Sequence, residues 1–97
     1  MKISVVLPVY NEKENLRPLQ KEITEAMEEN YKDWEVIYVD DGSSDGSPSV
    51  LEEIAEKNQE VKVIKFRKNF GQSSALQAGF DHASGEVVVA MDSDGQN

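Results

Sequence analysis

Four short apolar runs, rich in β-branched residues and separated by stretches long enough for helices, constrain this chain more than any other feature. They are Ile3–Val9, Trp34–Val39, Val61–Phe66 and Glu86–Met91. The first and last show no regular polar alternation, which predicts strands buried on both faces of a parallel sheet. In the third, Lys62 and Lys65 interrupt the apolar residues, which predicts a sheet edge. Pro8 cannot donate to a ladder and marks the end of the first strand. Between the runs the periodicity turns helical. Leu16, Leu19, Ile23 and Met27 form one stripe, with Pro18 expected in the first turn of that helix. Ser47-Pro48 reads as the N-cap and first residue of a second helix that turns Val50, Leu51, Ile54 and Ala55 inward. Gln72–Ala83 reads as a third helix packed by Ala75, Leu76, Gly79, Phe80 and Ala83, with Gly85 as its C′ residue.

Strand–helix alternation of this kind predicts one α/β domain: a parallel sheet with right-handed crossovers and helices on both faces. The expected strand order is 3-2-1-4, a three-layer, Rossmann-like half of a doubly wound fold. In that order the chain reverses its direction of progress between strands 1 and 4, and ligands bind at the carboxyl ends beside such a switch point. Three loops converge there: Tyr10-Asn11-Glu12, Asp40-Asp41-Gly42 and Asp92-Ser93-Asp94.

Charge narrows the partners. A formal net charge of −9 argues against nucleic acid, whose binding rests on Lys and Arg at phosphates, and against an anionic membrane surface. Most of the acidity is read as solvated helix faces. The chain has no cysteine, which excludes disulfides and thiolate metal sites and fits a cytoplasmic location. The apolar run at the N-terminus is too short for a signal peptide or spanning helix.

The loops carry the chemistry. Asp92 and Asp94, one residue apart after an apolar strand, can point the same way with Ser93 opposite. With the Gln96 carbonyl they offer hard oxygen ligands suited to Mg²⁺ or Mn²⁺. Asp41 is either a turn carboxylate or an acceptor for a nucleobase N–H or ribose hydroxyl; Asp45 reads as a turn residue. Tyr10 is a surface aromatic or a stacking platform for a base, and Glu12 a first-turn carboxylate or part of the same site. Arg67 or Lys68 can neutralise a diphosphate, or both are solvated edge charges. His82 has no nucleophile beside it and reads as structural. A dinucleotide oxidoreductase needs Gly-x-Gly-x-x-Gly after strand 1, and a receiver-like domain needs an acidic pair there; neither pattern is present. A non-catalytic metal- or nucleotide-binding module, or an assembly unit, stays open as the alternative to an enzyme.

Pro8-Val9-Tyr10-Asn11-Glu12, Val39-Asp40-Asp41-Gly42-Ser43-Ser44-Asp45, Arg67-Lys68-Asn69-Phe70-Gly71-Gln72-Ser73-Ser74-Ala75 and Met91-Asp92-Ser93-Asp94-Gly95-Gln96 follow one another along the chain. In this order the motifs resemble those of the family 2 glycosyltransferases, nearest the polyprenyl-phosphate (dolichyl-phosphate) sugar transferases. The resemblance implies a GT-A type fold, a nucleotide-diphosphate sugar donor, and inverting transfer to a lipid phosphate with release of UDP or GDP. It implies that Pro8, Tyr10 and Glu12 contact the nucleoside, that Asp41 holds the base, and that Asp40 and Lys68 belong to the same donor-binding set. Asp92, Asp94 and Gln96 then hold the divalent metal and the donor diphosphate. The branch commonly has Ala and Leu where this chain has Ser93 and Gly95. Members of the family continue well past this length. Residues 1–97 are therefore expected to be the N-terminal donor-binding domain, cut before the acceptor-binding half, keeping part of the donor site without turnover and lacking a general base. The longer parent is expected at the cytoplasmic face of a membrane. The strand 86–91, left at a sheet edge, is expected to pair with another copy in a homo-oligomer.

Overall fold

The computed structural model describes residues 1–93, so the expectations placed on Asp94, Gly95 and Gln96 lie outside the described residues. The chain order is β1 (Ile3–Val9), α1 (Lys13–Asn30), β2 (Trp34–Asp40), α2 (Ser47–Lys57), β3 (Val61–Lys65), α3 (Gln72–His82) and β4 (Val87–Ala90). The strands form one sheet in the order β3-β2-β1-β4, and every pairing is parallel. The expected topology is the observed one.

Side-chain alternation along the two central strands assigns the layers. Ile3, Val5, Leu7, Val9, Val36 and Tyr38 pack with Leu16, Ile23 and Met27 of α1 and Val50, Leu51 and Ile54 of α2. On the opposite face Val6, Ile37 and Val39 pack with Ala75 of α3. Because β1 and β2 are covered on both sides, their apolar runs need no polar face. Each fully buried Leu or Ile contributes roughly 1.5–3 kcal/mol by leaving water. The Tyr38 hydroxyl, deep under α1, donates to Gln20 Oε1 at 2.6 Å, and burial raises its phenol above the ordinary range.

Several local expectations change. Pro18 lies a turn deeper in α1 than the first turn; both it and Glu14, whose carbonyl its ring leaves without a donor, are solvent-exposed, so water takes the place of the lost bond. Gly46, in left-handed geometry at φ 94°, is the N-cap of α2, and Ser47 and Pro48 are its first residues. Phe80 is exposed rather than packed on the sheet. Gly85 is not a left-handed C′ residue. It lies where a Cβ would come within 2.6 Å of Ser4 Oγ, so it is a point of close backbone approach. β4 is an edge strand with Val87, Val88 and Val89 exposed, not the buried strand its composition predicts.

One polar cluster fastens the end of the sheet opposite the converging loops. Glu35 on β2 is buried, and its Oε2 accepts from Ser4 Oγ at 2.6 Å and from Ser84 N at 2.7 Å and Oγ at 3.0 Å. Its Oε1 meets Lys62 Nζ at 2.8 Å and Lys2 Nζ at 3.7 Å. Burial pushes this carboxyl up, but the Lys62 ammonium and the Ser4 and Ser84 donors outweigh it and bring the pKa down to about 2.

Candidate functional site

The carboxyl ends of β1, β2 and β4 open into a cleft of about 160 Å³ lined by Pro8, Val9, Tyr10, Glu12, Asp41, Gln72, Asp92 and Ser93. It lies beside the switch point between β1 and β4, as the strand order requires. Its lining comes from all three expected loops and the first residue of α3.

The loops are tied to one another by side chains acting on backbone. Asn11 sits at φ 53°, a left-handed conformation that Asn tolerates better than most residues. Its N–H donates to Ser43 Oγ at 2.9 Å, and its Oδ1 accepts from Ser44 N at 2.8 Å. Asp45 completes the junction, accepting from Lys13 N at 3.1 Å and from Ser47 N and Oγ at 2.9 and 2.6 Å. Burial raises the Asp45 carboxyl slightly, but the Ser47 hydroxyl and the Lys13 and Ser47 N–H groups lower it below the ordinary value. Asp45 is thus a turn carboxylate, as its sequence setting predicts.

Asp41 does more than line the cleft. Its Oδ1 accepts from Phe70 N at 2.7 Å, and its Oδ2 accepts from Gly71 N at 3.0 Å and Asn69 Nδ2 at 3.1 Å. The carboxylate therefore anchors the loop that leads into α3. Gly42 makes this contact possible: it holds φ +75°, and a Cβ there would stand 2.3 Å from the Lys68 carbonyl carbon. Since Oδ1 takes one of these bonds, it keeps acceptor capacity for a ligand N–H.

Pro8, Tyr10, Glu12, Asp41 and Asp92 are brought together; Asp40 and Lys68 are not part of the lining. Asp40 is buried at the end of β2, in register with Val36 and Tyr38 on the α1–α2 face. Its Oδ2 accepts from Ser43 N at 3.1 Å, while Oδ1 has no hydrogen-bond partner among the described residues. The Lys68 ammonium lies 5.2 Å from the centre of the Phe70 ring, which stands edge-on to Phe66. Gln72 and Ser93 line the cleft without having been singled out from sequence. The signal for Gln72 was its place at the start of a helix that returns to the carboxyl ends of the strands. Ser93, expected to face opposite to Asp92, is buried, with its hydroxyl donating to the Pro8 carbonyl at 2.8 Å.

The electrostatics are one-sided. Glu12, Asp41 and Asp92 line the cleft, and no Lys or Arg joins them among the described residues. A diphosphate placed here needs a cation beside it. Asp92 is exposed, and the contact to its Oδ1 is a long one, 3.5 Å from Gln72 Nε2, so its oxygens are free to coordinate. That fits one hard-oxygen ligand of Mg²⁺ or Mn²⁺. The described residues contain no group of three His, Cys, Asp or Glu that could hold a metal ion. Among the described residues no helix is long and apolar enough to cross a membrane.

Comparison with known proteins gives concordant matches. The family model described as Glycosyl transferase family 2 matches residues 4–97. The chain is 45% identical over 97 residues to undecaprenyl-phosphate 4-deoxy-4-formamido-L-arabinose transferase of Enterobacter sp. (strain 638), a match covering 99% of this chain and 30% of the relative. The mannosyltransferase PcManGT from Pyrobaculum calidifontis, solved with GDP-Man and Mn²⁺, superposes with a TM-score of 0.84 at 31% identity, over 95% of this chain and 27% of that one. TarS 1-349 of S. aureus, solved with UDP-GlcNAc, superposes with a TM-score of 0.83 at 29% identity, over 97% of this chain and 27% of that one. The shared architecture is the Rossmann-like half of the GT-A fold.

Proposed function

The chain belongs to glycosyl transferase family 2, and from that membership we propose that it forms the donor-binding domain of an enzyme moving a sugar from a nucleotide-diphosphate sugar to a polyprenyl phosphate, with inversion. The observation that carries this reading is the convergence of Pro8, Tyr10, Glu12, Asp41 and Asp92 on one acidic cleft at the switch point. Tyr10, half exposed at the rim, stacks on the base, and Asp41 accepts a base N–H with its remaining lone pair. Pro8 and Glu12 bound the nucleoside. Asp92, with Asp94 and Gln96, holds a divalent ion at the diphosphate. When bound, that ion neutralises the diphosphate and stabilises it as a leaving group. The names of the Enterobacter relative and of the Pyrobaculum and S. aureus structures support a lipid-phosphate acceptor and a UDP- or GDP-linked donor.

The chain spans 30% of the length of the Enterobacter relative, and the acceptor-binding groups are assigned to a longer parent working at the cytoplasmic face of a membrane. By itself the 97-residue chain binds donor without turnover. Its exposed β4 edge pairs with a second copy. Titration calorimetry with UDP and with GDP, with and without Mn²⁺, tests the donor site. Binding that requires Mn²⁺ and weakens at least ~10-fold in Asp92→Ala supports it. Absence of binding to both nucleotides, or binding indifferent to both the metal and Asp92, overturns it.

A further inference from the structure

We infer that Ser93 is a positioning residue: its hydroxyl takes over where the β1–β4 ladder fails, and so fixes Asp92 at the cleft. The inference rests on the donor-site reading above.

Backbone parity decides which side of β1 each carbonyl faces. Lys2 and Val6 turn their carbonyls to β4, where Val87 N and Met91 N donate to them, at 2.9 Å in the second case. Odd-numbered residues of β1 turn to the other side: Ile3 N donates to Asp33 O, and Val9 O accepts from Asp41 N. Pro8, an even position, therefore faces β4, and it has no N–H to give. Among the described residues, the last backbone bond of this ladder runs from Met91 N to Val6 O, one residue before Asp92. Beyond it, the Ser93 hydroxyl donates to the Pro8 carbonyl at 2.8 Å. Ser93 is only 4% exposed, whereas Asp92 beside it is open to the cleft.

A side-chain donor thus replaces the backbone donor at the point where the strand gives way to the acidic loop. Without it, Asp92 lies beyond the ladder bond at Met91, and its carboxylate loses a fixed direction toward the cleft. Ser93 acts on Asp92 through the backbone; outer contacts that orient a metal ligand alter metal affinity by roughly 10–100-fold when removed.

The test compares Ser93→Ala with Ser93→Cys, which keeps nearly the same volume but donates weakly. Two quantities are read: Mn²⁺-dependent affinity for UDP or GDP by calorimetry, and amide hydrogen exchange at residues 91–93. The expected result is a loss of about 10-fold in Mn²⁺-dependent affinity in both variants. Faster exchange confined to residues 91–93 accompanies it. Retention of wild-type affinity and exchange in Ser93→Cys makes the residue a packing element and overturns the inference, as does wild-type behaviour of Ser93→Ala. If the unsubstituted protein binds no nucleotide with Mn²⁺, the donor-site reading itself falls; a failure of the clamp alone shows as intact binding in every variant.

Discussion

Asp41 shows how much one side chain does at the residue scale. Three donors from the loop before α3 end on its two oxygens. Asp41→Ala leaves those N–H groups without acceptors and is expected to cost about 2–3 kcal/mol, read as a lower urea midpoint with an unchanged slope. Asp41→Asn keeps one oxygen acceptor but sets an NH₂ against at least one of the donors, and is expected to fall between the unsubstituted protein and Asp41→Ala. Gly42→Ala is expected to cost at least as much, because a Cβ meets the Lys68 backbone and φ +75° is unfavourable for alanine. Sequence reading reached Asp41 through its place after a strand and beside glycine. It did not reach the bonds to Asn69, Phe70 and Gly71, because contacts from a side chain to distant backbone leave no periodicity behind. The Ser93 hydroxyl and the Glu35 cluster were hidden for the same reason. Glu35 looks like a polar break between Trp34 and Val36, and only the folded sheet brings Ser4, Lys62 and Ser84 around it.

Among the elements, the two sheet edges differ. β3 carries Lys62 and Lys65, which pair with Glu35 and Glu52, and charges of this kind discourage strand addition. β4 presents Val87, Val88 and Val89 with no charge among them, and Met91 follows, also exposed. Beside it a mainly apolar groove is lined by Val5, Leu19, Ile23, Ala26, Met27 and Met91, with Glu22 as its one charged member. The proposed pairing with a second copy would cover this edge; the expectation is a mass above the monomer in light scattering at high concentration, returning to monomer in Val88→Lys. A monomer at every concentration sinks the proposal. The helices and strand order were legible because long periodic segments and crossover handedness leave few alternatives. The exposure of β4 was not legible from its composition, since valine runs read the same at an edge as in the middle of a sheet.

For the molecule as a whole, the Glu35 cluster sets a response to acid. Its folded pKa of about 2 lies below the ordinary 4.5, so the charged form is the one the fold favours. That contribution is present above pH 4.5 and is lost as pH falls through about 2. The shift corresponds to about 3 kcal/mol at neutral pH. Denaturation at a series of pH values is expected to show this loss, and Glu35→Gln to remove that part of the pH dependence while lowering stability at pH 7. The same sheet has a consequence for synthesis. Ser93 and Pro8 stand 85 positions apart, and Gly85 and Ser4 stand 81 apart. At about 5–20 residues per second, β1 waits roughly 4–16 seconds on the ribosome before its fourth-strand partner is translated. The β1 edge that β4 covers therefore stays open after its β2 edge can pair. A chain ending before residue 87 lacks Asp92 and Ser93, two residues of the cleft lining, and leaves that edge of β1 without its partner.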